Sequence, residues 1–143
     1  MSLWNWPFSR PRERGVLAGD GKFACHVVGT SLHQATLEYL FSRTSTGLHR
    51  YCAALLTPQP NNPHDRKAVA VMIFDLEVGH LERDVAPDFL RALRKGGFAD
   101  AACEALILGG WERGGHDWGD FNVRLNARTP FSIYPVGEWQ QRA

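Results

Sequence analysis

The chain has 143 residues, 16 Lys and Arg against 15 Asp and Glu for a net charge of +1, 44% hydrophobic residues and 22% charged ones. This is the usage of one folded domain, and it excludes both a disordered chain and a protein that grips long nucleic acid by charge alone, which needs many uncompensated cations. A small, local nucleic-acid site stays compatible with it.

Residues 1–22 read as an N-terminal arm, with Trp4, Trp6 and Phe8 at its start and Arg10, Arg12 and Arg14 after them. Such an arm packs back onto its own domain or a partner; stacking of Trp4 and Trp6 on bases is the other reading. The barrel domain is expected over residues 23–127 and a tail over 128–143. A first strand is expected over Phe23–Gly29. Leu37, Leu40 and Phe41 fall at i, i+3 and i+4 of a short helix over Ala35–Ser42.

His49–Thr57 and Lys67–Phe74 read as strands, and the unbroken apolar run Ala68–Phe74 suits a strand buried on both faces. Between them Pro58, Pro60 and Pro63 stiffen a loop that runs to Arg66. Another strand follows at Glu77–Leu81. Asp84–Lys95 reads as a helix with Val85, Phe89, Leu90 and Leu93 on one stripe, Pro87 in its first turn and Gly96–Gly97 as its stop. Cys103–Trp111 and Asp120–Asn126 form the last strands, joined through a glycine-rich hairpin. In the second of these, Phe121, Val123 and Leu125 face inward and Asn122, Arg124 and Asn126 outward. Phe131–Tyr134 is a candidate edge strand. About six short strands with one or two short helices, without strand–helix alternation, predict a mainly β protein built as a small antiparallel barrel.

Cys25, Cys52 and Cys103 form no CxxC pair, and the histidines have no i, i+4 or CxxH spacing. The cysteines therefore read as reduced thiols, and neither a metal nor a cofactor is expected. No run approaches the ~18 apolar residues that span a bilayer, and the N-terminus lacks a secretory pattern, so a cytoplasmic protein without membrane contact is expected.

The segment Leu56-Thr-Pro-Gln-Pro-Asn-Asn-Pro-His-Asp-Arg-Lys-Ala-Val-Ala-Val71, followed by Val78-Gly-His-Leu-Glu-Arg-Asp-Val-Ala86, resembles the HIRAN domain. That family carries a Pro-x-Asn-Pro-x-Asp loop running into an Ala-Val strand, then a strand of Val-Gly, an aromatic residue or His, and Leu that leads within a few residues into a short helix. Val27–Gln34 resembles its first strand and turn, and Phe121–Leu125 one of its closing strands. The resemblance implies an OB-like barrel that binds single-stranded DNA at its 3′-hydroxyl end, in DNA repair or replication-fork processing, beside a helicase or nuclease partner. It implies Asp65 as acceptor of the terminal hydroxyl, His64 where relatives have a stacking tyrosine, and His80 and Arg83 at positions that hold the phosphate backbone. Leu32 and Ser31 stand where relatives use a second aromatic and an arginine. Trp118 and Phe121 are candidates for a substitute ring.

Read without the resemblance, a proline-stiffened aspartate is preorganised to accept a hydroxyl and repels internal phosphates, while Arg66, Lys67 and Arg83 neutralise a few. Asn62 is a further DNA-contact candidate in this loop; Asn61, Asn62 and Asp65 are equally common turn residues whose side chains bond their own backbone, and for Asp65 binding and turn-capping both stand. His80 also reads as a structural histidine. A DNA-binding module without enzymatic activity is the expectation; the alternatives are a protein-interaction domain that has lost the DNA-end clamp, and nuclease chemistry on Asp65, Glu77 and His80.

Overall fold

Most of the apolar run Ala68–Phe74 becomes a strand in which Val69, Ala70, Val71 and Ile73 are buried, as a doubly covered position requires, while Met72 is half-buried and Phe74, expected in the strand, lies beyond its end at 73% exposure. The computed structural model of the chain describes residues 13–137. In chain order the strands are β1 (Glu13–Leu17), β2 (Cys25–Val28), β3 (Leu48–Pro58), β4 (Val69–Ile73), β5 (Leu76–Leu81), β6 (Phe98–Gly109), β7 (Phe121–Leu125) and β8 (Ile133–Pro135). The helices are α1 (Gln34–Phe41) and α2 (Ala86–Gly96). Strands β3, β4, β5, β2, β7 and β6 pair antiparallel in that order, and β6 returns to β3, closing a six-stranded OB-like barrel.

Barrel closure leaves few open edges and turns one side of every strand inward. Leu56, Val71, Val78, Ala105, Ile107, Phe121, Val123 and Leu125 fill the interior. Fully burying each larger apolar side chain contributes about 1.5–3 kcal/mol over leaving it in water. The predicted alternation of β7 holds, with Phe121, Val123 and Leu125 buried and Asn122 and Arg124 exposed. Helix α1 packs on β5 and β7 through Leu37 and Phe41, and α2 packs on β6 through Phe89 and Leu93. Pro87 lies in the first turn of α2, and Gly97 ends it at φ 74°, donating its N–H to Arg94 O and Leu93 O.

Two parts of the sequence reading are corrected. Glu13–Leu17, assigned there to the arm, is a strand that pairs parallel with the start of β6 and antiparallel with β8, so the folded unit extends beyond residues 23–127 at both ends. Strand β6 itself begins at Phe98 rather than Cys103. The Phe98–Ala102 stretch, interrupted by Asp100, has little strand character alone and becomes one through pairing with β1. Trp4, Trp6 and Phe8 lie outside the described residues.

Strand β5 carries the feature that matters most for the site. Val71 pairs with Gly79 but Met72 with Glu77, so Val78 is the extra residue of a β-bulge. In a regular strand Glu77 and His80 would point to opposite faces. The bulge brings them to one face, with His80 Nε2 and Glu77 Oε1 3.9 Å apart. Gly79 lets β2 come close here; a Cβ at this position would fall 2.5 Å from Val27 Cγ1 and 2.6 Å from the Val28 carbonyl oxygen.

Candidate nucleic-acid interface

The proline loop between β3 and β4 is braced from within. Gln59 N–H donates to Ala68 O at 2.9 Å, Asn62 N–H to Gln59 O at 3.0 Å and Ala68 N–H to Asp65 O at 3.1 Å. The Asn62 side-chain oxygen accepts the N–H groups of His64 (2.9 Å) and Asp65 (3.2 Å), while its Nδ2 donates to Gln59 Oε1 at 3.1 Å. Both ends of the Asn62 side chain are thereby occupied. Asn62, a DNA-contact candidate by its sequence position, is placed here as a strut that shapes the loop. Asn61 makes no comparable brace among the described residues.

Asp65 divides its carboxylate between the two roles the sequence left open. Oδ1 accepts Lys67 N–H at 2.9 Å, closing a turn of its own backbone. Oδ2 lies 3.8 Å from Arg83 Nε, and the side chain is 27% exposed. One oxygen is therefore structural and the other open to a donor.

Around it the bulged strand supplies His80, whose Nε2 lies 2.8 Å from Gln59 Oε1. Gln59 Nε2 donates to Glu77 Oε1 at 2.9 Å, and His33 Nε2 stands 3.1 Å from Glu77 Oε2. The loop, β5 and the start of α1 are thus tied into one polar cluster. His64, Arg66, Lys67 and Arg83 are exposed at its rim, positive charge beside the open carboxylate oxygen. Gln59 was not singled out by its place in the sequence, and Glu77 entered only through the nuclease alternative. Gln59 sits between two prolines like any loop polar residue, and Glu77 meets His80 only through the bulge.

Ser31 and Leu32 lie on a 3-10 turn (Thr30–Leu32) that packs against β5 and β7, and Val28, just before it, pairs with His80. Leu32 is 85% exposed. It offers apolar surface but no π face. Phe121, a candidate stacking ring, is 0% exposed, with the Arg43 guanidinium 4.9 Å above its ring. It belongs to the barrel wall, and its assignment to DNA contact is corrected. Trp118 is half exposed and borders a cleft of about 380 Å³ with Gln34, Ala35, Glu38 and Arg43, which leaves its ring open to solvent.

The thiols are elsewhere. Cys25, Cys52 and Cys103 are free, and burial pushes all three upward, Cys25 to about 11 and Cys103 further, which favours the neutral thiol.

Among the described residues no helix is long and apolar enough to cross a membrane. Neither a search of curated proteins nor one of solved structures finds a significant match. The family model of the HIRAN domain matches residues 20–106, which takes in β2, the braced loop, the bulged β5 and α2. With more than half its length matched, and with the loop and barrel in place, the chain belongs to the HIRAN domain family, a family of DNA-binding modules.

Proposed function

We propose that this module captures the 3′-hydroxyl end of single-stranded DNA, with Asp65 as the acceptor of the terminal hydroxyl. The observation that carries the reading is the divided carboxylate: Oδ1 is fixed by Lys67 N–H, which aims Oδ2 outward from a loop that Asn62 and the prolines hold rigid. A preordered acceptor binds a hydroxyl with little ordering cost. A strand that continues past this point, or ends in phosphate, brings negative charge against the carboxylate and is rejected. Arg83, Arg66 and Lys67 neutralise the phosphates behind the end, and His64 and Trp118 offer rings to bases.

The module acts as a binding partner rather than a catalyst, within the cytoplasmic machinery of repair or fork processing, alongside a helicase or nuclease. The test is fluorescence anisotropy with 3′-hydroxyl, 3′-phosphate and duplex oligonucleotides. The wild type is expected to favour the 3′-hydroxyl strand, and Asp65→Ala to remove that preference. Equal affinity of the wild type for hydroxyl and phosphate ends would remove the reading. A second reading, a protein-interaction domain, draws on exposed Leu32 and on Ser31 in place of a cation; recovery of a helicase or nuclease without measurable DNA binding would select it.

A further inference from the structure

The position of one proton follows from the loop's own backbone. The N–H groups of His64 and Asp65 can only donate, so the Asn62 atom they share is the side-chain oxygen. That turns Asn62 Nδ2 toward Gln59, which must answer with its oxygen, Oε1, at 3.1 Å. The Gln59 amide nitrogen then meets Glu77 Oε1 at 2.9 Å, where a carboxylate accepts. His80 Nε2 is 2.8 Å from the same Gln59 Oε1. Two acceptors make no hydrogen bond, so Nε2 carries the hydrogen. In a neutral imidazole only one nitrogen is protonated, which leaves Nδ1 as a bare lone pair. Among the described residues nothing bonds Nδ1, and the side chain is 29% exposed.

We propose that Gln59 is a positioning residue that fixes His80 in the Nε2–H form, so that His80 contacts a DNA phosphate only as imidazolium and binding takes up a proton. This rests on the DNA-binding reading above. A phosphate oxygen only accepts, so a neutral His80 presents it with a lone pair and repels it. Protonation places a hydrogen on Nδ1 and adds a positive charge. The charged group facing the ring is Glu77, 3.9 Å from Nε2 and itself 3.1 Å from His33 Nε2, while the Asp65–Arg83 pair and exposed His64 belong to the neighbouring loop and to the segment after β5. The strand partners of His80, Val28 and Ala70, carry no charge.

Two measurements test the assignment. The imidazole 15N spectrum of the free protein at pH 8.5 is expected to show His80 as the Nε2–H tautomer; an Nδ1–H or mixed ring overturns the role of Gln59. The affinity for a 3′-hydroxyl oligothymidylate, whose diester phosphates do not titrate, is then followed between pH 8.5 and 5.5 in a His64→Asn background. It is expected to rise as pH falls, by at most about tenfold per pH unit for one proton. Gln59→Leu frees the ring to adopt Nδ1–H and donate while neutral, so its profile flattens, whatever overall affinity the loop loses with the partner of Asn62 Nδ2. His80→Gln flattens it as well. A profile that stays flat in the parent, or equally steep in both variants, overturns proton uptake at His80. An Nε2–H ring in a protein that binds hydroxyl and phosphate ends alike overturns the end-recognition reading and leaves the assignment of Gln59 standing.

Discussion

Asp65 and Arg83 face each other at 3.8 Å, Oδ2 to Nε, with the arginine side chain 81% exposed. A pair this open and this long contributes little to stability. It is readily exchanged: the guanidinium is free to turn to a phosphate while the carboxylate oxygen takes a hydroxyl. An attachment point for backbone and an acceptor for a terminus thus lie side by side, and they are separable by mutation.

Arg83→Gln is expected to weaken binding to hydroxyl-ended and phosphate-ended strands alike, because it removes a backbone contact and not the discriminating acceptor. The slope of log affinity against log salt should fall in magnitude by about 0.7, the share of one phosphate contact on single-stranded nucleic acid. Titrations at several salt concentrations measure it. An unchanged slope would show that Arg83 meets no phosphate.

Asn62→Ala removes the acceptor of two backbone N–H groups and the donor to Gln59. The expected loss of stability is about 1–2 kcal/mol, since each such bond contributes about 1 kcal/mol and the loop is only partly buried. The larger effect falls on binding. With Asp65 still present but its loop unbraced, the preference for a 3′-hydroxyl end should shrink toward that of Asp65→Ala. Urea denaturation and end-selective anisotropy on one protein preparation separate the two effects.

The barrel was legible where the pattern is local. The alternation Phe121, Val123, Leu125 and the stripe of α2 follow from periods of 2 and 3.6, and both appear as read. The same alternation spoiled Phe121 as a ligand ring, because a residue that belongs to the wall is withdrawn from solvent. Strand β1 was illegible because its partners, the start of β6 and β8, are remote in the chain and weakly patterned themselves. Within the site, polarity alone does not separate a strut from a ligand. Asn62 and Asp65 are the same kind of turn residue, and only the count of occupied oxygens tells them apart. Glu77 and His80 needed the bulge, for which β5 offers only Gly79, a residue that marks close backbone approach as readily as a bulge.

The thiols give a pH dependence whose sign is fixed by burial. Cys25 is raised to about 11 and Cys103 is raised further, so both stay protonated in the folded chain at pH values where an unfolded cysteine, near ~8.5, ionises. Above that pH the unfolded state binds fewer protons than the folded one, and stability falls as pH rises toward about 11. Below it this contribution is constant. Thermal melts between pH 7.5 and 10.5 should therefore decline at the alkaline end, and Cys25→Ala should decline less. Alkylation of the native protein at pH 8 should be slow compared with the urea-unfolded chain, since the thiolate is the reactive form.

The turn at Ser31 and Leu32 allows a gain-of-function experiment. Leu32 is exposed and makes no contribution to the core, so replacing it with a larger planar ring displaces nothing. Leu32→Tyr adds a π face beside the strand that carries His80, and base stacking on an aromatic side chain is worth about 1–3 kcal/mol. Ser31→Arg adds a cation for one further phosphate. The double variant should bind a 3′-hydroxyl oligonucleotide about ten to a hundred times more tightly, the range that stacking alone supplies. Its salt slope should steepen by about 0.7. Because neither substitution touches Asp65, the ratio of hydroxyl-end to phosphate-end affinity should stay near that of the wild type. Tighter binding with an unchanged ratio means that the turn grips the strand while the carboxylate reads its end. A double variant no tighter than wild type would show that the strand does not pass the 3-10 turn, and that the DNA path lies on the Trp118 side of α1 instead.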